Sequence, residues 1–144
     1  MATRDRTIAQ VEQFLRSKGV SSLRITQAIH RLSDLRYLDD HAYARRWVAK
    51  RLTARPMGAA RLKAELQAKG ISESLAARMS AEAVREIDEE TLAHRAIQAV
   101  QRHGRRLTSS QMVRLLHQRG FSEEAIDRMI EQFRSSSEES VYEE

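Results

Sequence analysis

The sequence predicts an all-α protein of elongated tandem three-helix repeats, about eight helices in total, with the first repeat lacking its opening helix. Three observations predict it. One segment is written three times: Phe14-Leu15-Arg16-Ser17-Lys18-Gly19-Val20-Ser21, then Glu65-Leu66-Gln67-Ala68-Lys69-Gly70-Ile71-Ser72, then Leu115-Leu116-His117-Gln118-Arg119-Gly120-Phe121-Ser122. A fixed period of about 50 residues marks stacked copies of one supersecondary unit. Apolar residues recur at helical spacing around each copy, no period-2 strand pattern appears, and the single proline, Pro56, falls in a loop.

The helices follow in order. Thr7 and Gln10 form a capping-box pair that starts the first helix, with Val11 and Leu15 on its buried face. Gly19 ends it, because glycine takes the left-handed C′ conformation without steric cost, and Val20 is placed to touch Leu15. Ser21 caps a second helix with Ile25, Ala28 and Leu32 inside. Asp39 or Asp40 caps a third, which carries Tyr43, Ala44, Trp47, Val48 and Leu52 on one face. Gly58 is a weaker cap for the fourth, with Leu62 and Leu66 inside, and Gly70 closes it. Ser72 and Glu73 open the fifth, with Ala76, Met79 and Ala83. Asp88 caps a sixth with Ala93, Ala96, Ile97 and Val100, ending near Gly104. Thr108 and Gln111 repeat the capping box ahead of Met112 and Leu116. After Gly120, Ser122 opens the last helix with Ile126, Met129 and Phe133. The divisions are residues 1–36, 37–86 and 87–134 for the three repeats, and 135–144 for an acidic tail too polar to bury anything and expected to be disordered.

Charge points to an acidic partner. The net charge is +5, but residues 135–144 hold four glutamates and no base, so residues 1–134 carry 25 bases against 16 acids. Only four of the bases are lysine, and the planar arginine fork suits bidentate pairing with phosphate or carboxylate. Residues 41–70 are the densest stretch, with Arg45, Arg46, Lys50, Arg51, Arg55, Arg61, Lys63 and Lys69 against Glu65 alone. These eight are the candidate binding residues. A solvated face kept for solubility is the plain alternative.

Catalytic signatures are missing. No phosphate-binding glycine loop is present. The histidines do not fall at metal-ligand spacing: Glu90 stands four residues before His94, a common helix-surface pair. Asp39 and Asp40 precede an apolar-periodic segment, which suits capping better than acid–base work. Tyr43 and Trp47 could stack on unpaired bases, but their position on the apolar face favours packing. We expect no enzyme, no cofactor and no metal. The absence of cysteine, of an apolar leader and of any bilayer-length run leads us to expect a cytoplasmic monomer away from membranes.

Tyr37-Leu38-Asp39-Asp40, Tyr43-Ala44-Arg45, the run from Gly58 to Leu66, and Lys69-Gly70-Ile71 together resemble the RecX family of bacterial regulatory proteins. The flanking copies fit that family's tandem three-helix repeats. The chain departs from the family pattern at Arg36, where a glycine is usual, at Arg55-Pro56-Met57, where a base and glycine are common, and in its missing first helix. The resemblance implies a regulator that binds the filament of the RecA recombinase on single-stranded DNA. It would limit strand exchange, ATP hydrolysis and the co-protease activity behind the SOS response. A free-standing basic helical nucleic-acid-binding protein is the alternative.

Overall fold

The computed structural model describes residues 6–35 and 38–142, with side chains through residue 136. Its elements are α1 (Ile8–Ser17), α2 (Ser22–Asp34), α3 (Asp40–Ala54), α4 (Ala59–Ala68), α5 (Glu73–Ile87), α6 (Glu89–Gln101), α7 (Ser109–Gln118) and α8 (Glu123–Tyr142), with no strand among the described residues. Tyr37, which opens the motif quoted above, lies outside the described residues, as does Arg36.

The threefold segment makes the same turn three times. Gly19, Gly70 and Gly120 have φ of +79°, +94° and +80°. In each turn the amide after the glycine donates to the leucine carbonyl five residues back: Val20 to Leu15 at 3.1 Å, Ile71 to Leu66 at 3.1 Å, and Phe121 to Leu116 at 3.0 Å. These are Schellman closures, which satisfy carbonyls the helix end would leave open. Capping boxes at Thr7 and Thr108 start α1 and α7, while Gly58 starts α4 with no side-chain cap. Asp88 links α5 directly to α6 at φ +94°, strain that its carboxylate offsets by accepting from Thr91 N–H and Oγ1.

Packing divides the chain unevenly. α5 packs on α4 and α3, α8 packs on α7 and α6, and α5 meets α6. Ala44, Val48, Leu62, Leu66, Met79, Leu92, Ile97, Met112, Leu116 and Met129 therefore belong to one continuous core that spans the second and third repeats. Tyr43 and Trp47 pack against it, so they fill the interface. The first repeat contributes none of it; Val11 and Ile25 are buried separately, and Leu15 is only half-buried.

The repeats meet at two sites beyond the bond from the Leu38 amide to the Leu32 carbonyl at 3.2 Å. Thr7, fully buried, donates its hydroxyl to the Lys69 carbonyl at 2.7 Å, and Asp40 accepts from the Ile8 amide at 2.9 Å. The expected capping role of the aspartates is thus shared: Asp39 caps its own helix through Ala42, while Asp40 caps α1 of the preceding repeat. At the second joint Gly58 donates to the Arg119 carbonyl at 2.8 Å. A Cβ on Gly58 would overlap the Gly120 carbonyl, and one on Gly120 would overlap the Arg61 backbone, so both crossing points require glycine.

α8 continues through residues 135–142 to Tyr142. No glycine or proline interrupts this stretch, and extending an existing helix adds a hydrogen bond per residue fixed, with no new nucleation cost. Residues 143 and 144 lie outside the described residues.

Candidate functional site

The structure distributes the eight candidate bases over several surfaces. Arg45, Arg46 and Lys50 are exposed along α3. Arg45 lines a concavity between α3 and α5 together with Glu82 and Glu86, and Arg46 has a partner of its own. Lys63 lies 3.3 Å from Glu73. Lys69 is exposed at the end of α4.

The remaining three converge. Arg51 from the last turn of α3, Arg55 from its end and Arg61 from the first turn of α4 meet Arg119 from the end of α7. They surround a concavity of about 360 Å³ completed by Met57 and Gln118. The Gly58–Gly120 crossing produces this arrangement, because it lays the start of α4 directly on the turn that follows Arg119.

Electrostatics at the concavity are unbalanced. Glu65 takes both nitrogens of the Arg51 fork, each at 3.1 Å, and stands 3.7 Å from Arg61 Nε. The hydrogen bonds from Arg51 hold the Glu65 carboxyl below its ordinary value, and Glu65 raises Arg51 in return. Arg119 goes the other way. Burial pushes its guanidinium down, and the positive charges of Arg55, Arg61 and Arg51 add to that. Arginine does not deprotonate in proteins, so the strain remains as positive potential facing the concavity. An anion placed there relieves it.

A second concavity of about 330 Å³ adjoins the first and shares Gln118 with it. Arg105, Arg106 and Arg114 line it. No carboxylate lines either concavity, and Arg55, Arg105, Arg106, Arg114 and Arg119 have no ion pair among the described residues. The result is a continuous track of seven arginines running from the end of α3, past Gln118, to the loop before α7. A larger concavity, about 720 Å³ between α6 and α8, is of a different kind. Two of its charged and polar pairs are already made, with Arg128 on Glu90 at 3.1 Å and His94 on Gln132 at 2.8 Å.

Four residues of the track were not among the sequence candidates: Arg105, Arg106, Arg114 and Arg119. The sequence signal for them was the Arg105-Arg106 pair followed by Arg114 and Arg119 in the same repeat. What could not be read was their meeting with Arg51, Arg55 and Arg61 across the glycine crossing. Among the described residues no group of histidines and carboxylates could hold a metal ion, and no helix is long and apolar enough to cross a membrane.

Comparison with known proteins agrees with the repeat architecture. The family model described as RecX, second three-helix domain, matches residues 39–79. The chain is 31% identical over 131 residues to the regulatory protein RecX of Leuconostoc citreum, a match covering 88% of this chain and 48% of that protein. It is 37% identical over 94 residues to the regulatory protein RecX of Thermus thermophilus, covering 65% of this chain and 59% of the relative. The chain therefore spans about half the length of such relatives. The crystal structure of RecX from Lactobacillus salivarius superposes with a TM-score of 0.73 at 24% identity, over 88% of this chain and 84% of that one, a likeness of fold.

Proposed function

Because this chain belongs to the RecX family, we propose that it regulates the RecA recombinase by binding the RecA–single-stranded-DNA filament, with no chemistry of its own. The observation that carries this reading is the arginine track, whose two concavities share Gln118 and are lined by no carboxylate. Binding there needs no catalytic pocket. A polyanion running along the track meets several guanidiniums in succession, each able to form bidentate hydrogen bonds to phosphate or carboxylate oxygens. Occupying the filament in this way opposes strand exchange, ATP turnover and co-protease activity by obstruction. A reducing cytoplasmic setting and a monomeric state fit this role and belong to the same reading.

The direct test is RecA ATP hydrolysis on single-stranded DNA with this protein titrated in. The expected result is saturable inhibition while the protein itself consumes nothing. Undiminished hydrolysis at saturating protein, with filaments verified by sedimentation, would contradict it.

The same track favours a second reading, a free-standing nucleic-acid-binding protein. Salt separates the two. A naked strand engaging four of the arginines should give a log–log salt slope of about −3, following the counterion release of single strands. A mixed protein and nucleic-acid interface should give a shallower one.

A further inference from the structure

The arginine track is not uniform along its length. Arg105, Arg106 and Arg114 come from one repeat, and the first two stand on the loop between α6 and α7. Arg51, Arg55, Arg61 and Arg119 come from two repeats and from the ends of three helices, and they surround a single concavity.

Three observations make this point a prepared site. The first is placement. The Gly58 amide donates to the Arg119 carbonyl at 2.8 Å, and the backbone of Arg61 lies against Gly120. These contacts fix the end of α7 on the start of α4 before any ligand arrives, which lowers the cost of binding. The second is orientation. Glu65 holds both nitrogens of the Arg51 fork, yet it does not itself line the concavity. The third is charge. Four guanidiniums less the one Glu65 carboxylate leave three positive charges around about 360 Å³. Burial, together with the charges of Arg55, Arg61 and Arg51, destabilises the charged form of Arg119, and a bound anion reverses that.

The arrangement also discriminates among anions. A carboxylate carries one charge and two oxygens in one plane, so a single arginine fork satisfies it. An internal phosphodiester likewise has one charge and two free oxygens. A terminal phosphate has three free oxygens in a tetrahedral spread and a charge of about −1.5 to −2 at pH 7. Of the three, it is the group that guanidiniums from three helix ends can grip together.

We propose that the concavity of Arg51, Arg55, Arg61 and Arg119 is a seat for a terminal phosphate group, of the kind carried by pyrophosphate and by the 5′-phosphorylated end of a strand. Gln118, shared with the second concavity, stands where the rest of a longer ligand leaves along the track. The inference rests on the reading of the track as an anion-binding surface, and not on RecA being the partner.

The test is titration calorimetry of the full chain at fixed ionic strength. The probes are inorganic pyrophosphate, citrate, and two oligonucleotides alike except for a 5′-phosphate. Pyrophosphate should bind saturably at one site per chain, and citrate several-fold more weakly. Arg119→Gln removes the charge but keeps the carbonyl that Gly58 uses, and should weaken pyrophosphate about ten- to a hundredfold. Arg55→Gln, at an exposed position, should act in the same direction and guards against a folding defect at Arg119. Arg114→Gln, the same charge change in the second concavity, should leave pyrophosphate binding nearly unaltered. A preference for the phosphorylated oligonucleotide that Arg119→Gln removes identifies a strand end as the ligand. Equal binding of the two oligonucleotides beside tight pyrophosphate identifies a small soluble phosphate compound. No saturable pyrophosphate binding, citrate binding as tightly, or equal losses in Arg119→Gln and Arg114→Gln would overturn the proposal. Its failure is separable from that of the filament reading. Pyrophosphate binding with undiminished RecA hydrolysis sinks only the latter, and inhibited hydrolysis without pyrophosphate binding sinks only the seat.

Discussion

The turn at Gly19 and the turns at Gly70 and Gly120 share sequence, φ and hydrogen bonds, yet their surroundings differ. A side chain on Gly19 would meet nothing within 4 Å. On Gly70 it would meet Ala9 and Thr7 of the first repeat, and on Gly120 the backbone of Arg61. The local sequence writes the turn, and the tertiary joint decides how much rests on it. The same contrast holds on a larger scale. Among the described residues the second and third repeats share one core, while the first stays outside it and is attached through Thr7, Asp40 and the bond from the Leu38 amide to the Leu32 carbonyl.

Three glycine substitutions break the comparison most sharply. Gly120→Ala should cost about 3–5 kcal/mol, combining left-handed strain with a backbone overlap that cannot relax. Gly70→Ala should cost about 2–3 kcal/mol, since the first repeat can shift away from the added methyl. Gly19→Ala should cost about 1 kcal/mol, the backbone term alone. Chemical-denaturation midpoints rank them, and equal losses at all three sites would mean the joints carry no stability.

Acid sharpens the contrast through two carboxylates shifted in opposite directions. Glu65 ties α3 to α4 inside the fused repeats, and the Arg51 hydrogen bonds hold its folded pKa below the ordinary glutamate value. Its contribution is present above the unfolded pKa and is lost as pH falls through the folded one. Glu65→Gln should therefore destabilise by about 1.5–3 kcal/mol near neutrality, with the deficit closing in acid. Asp40 sits at the joint to the first repeat. Burial raises its pKa above the ordinary aspartate value, the Ile8 amide opposes that, and Asp39 and Glu12 add to it. Stability from this group is full below the unfolded pKa and declines as pH rises through the folded one. Asp40→Asn, which keeps an oxygen for Ile8, should leave neutral-pH stability unchanged or raise it. A loss near neutrality as large as that of Glu65→Gln would show that the charge itself holds the joint.

Thr7 and Thr108 make the smallest comparison. Both close capping boxes, but only Thr7 is buried and bonded across repeats. Thr7→Val should cost about 2 kcal/mol and Thr108→Val about 1 kcal/mol in thermal unfolding. Equal costs would mean the Thr7–Lys69 bond adds nothing beyond the cap.

Much of this architecture was legible because it is local. Glycine turns, threonine capping boxes and the Asp39 and Asp88 caps are set by residues within a few positions of one another. The arginine track was legible only in part, since Arg51, Arg55 and Arg61 lie in the dense basic stretch while Arg119 reaches them through a crossing of two glycines from different repeats. Arg45 and Lys63 show the converse: near the others in sequence, Arg45 lines a different concavity with Glu82 and Glu86, and Lys63 pairs with Glu73. The run of α8 to Tyr142 was not legible, since a polar stretch carries no apolar periodicity to mark a helix.

The central claim is that the track, more than overall charge, meets the partner. The most direct measurement is affinity for RecA filaments on single-stranded DNA, comparing Arg55→Glu with Arg114→Glu against Lys50→Glu with Lys69→Glu. Both double variants change the charge by the same amount at exposed positions, but only the first lies on the track. The account predicts a loss of about ten- to a hundredfold for the track variant, from about 1.5–3 kcal/mol of charge-assisted contacts, and a much smaller one for the control. Equal losses would contradict it.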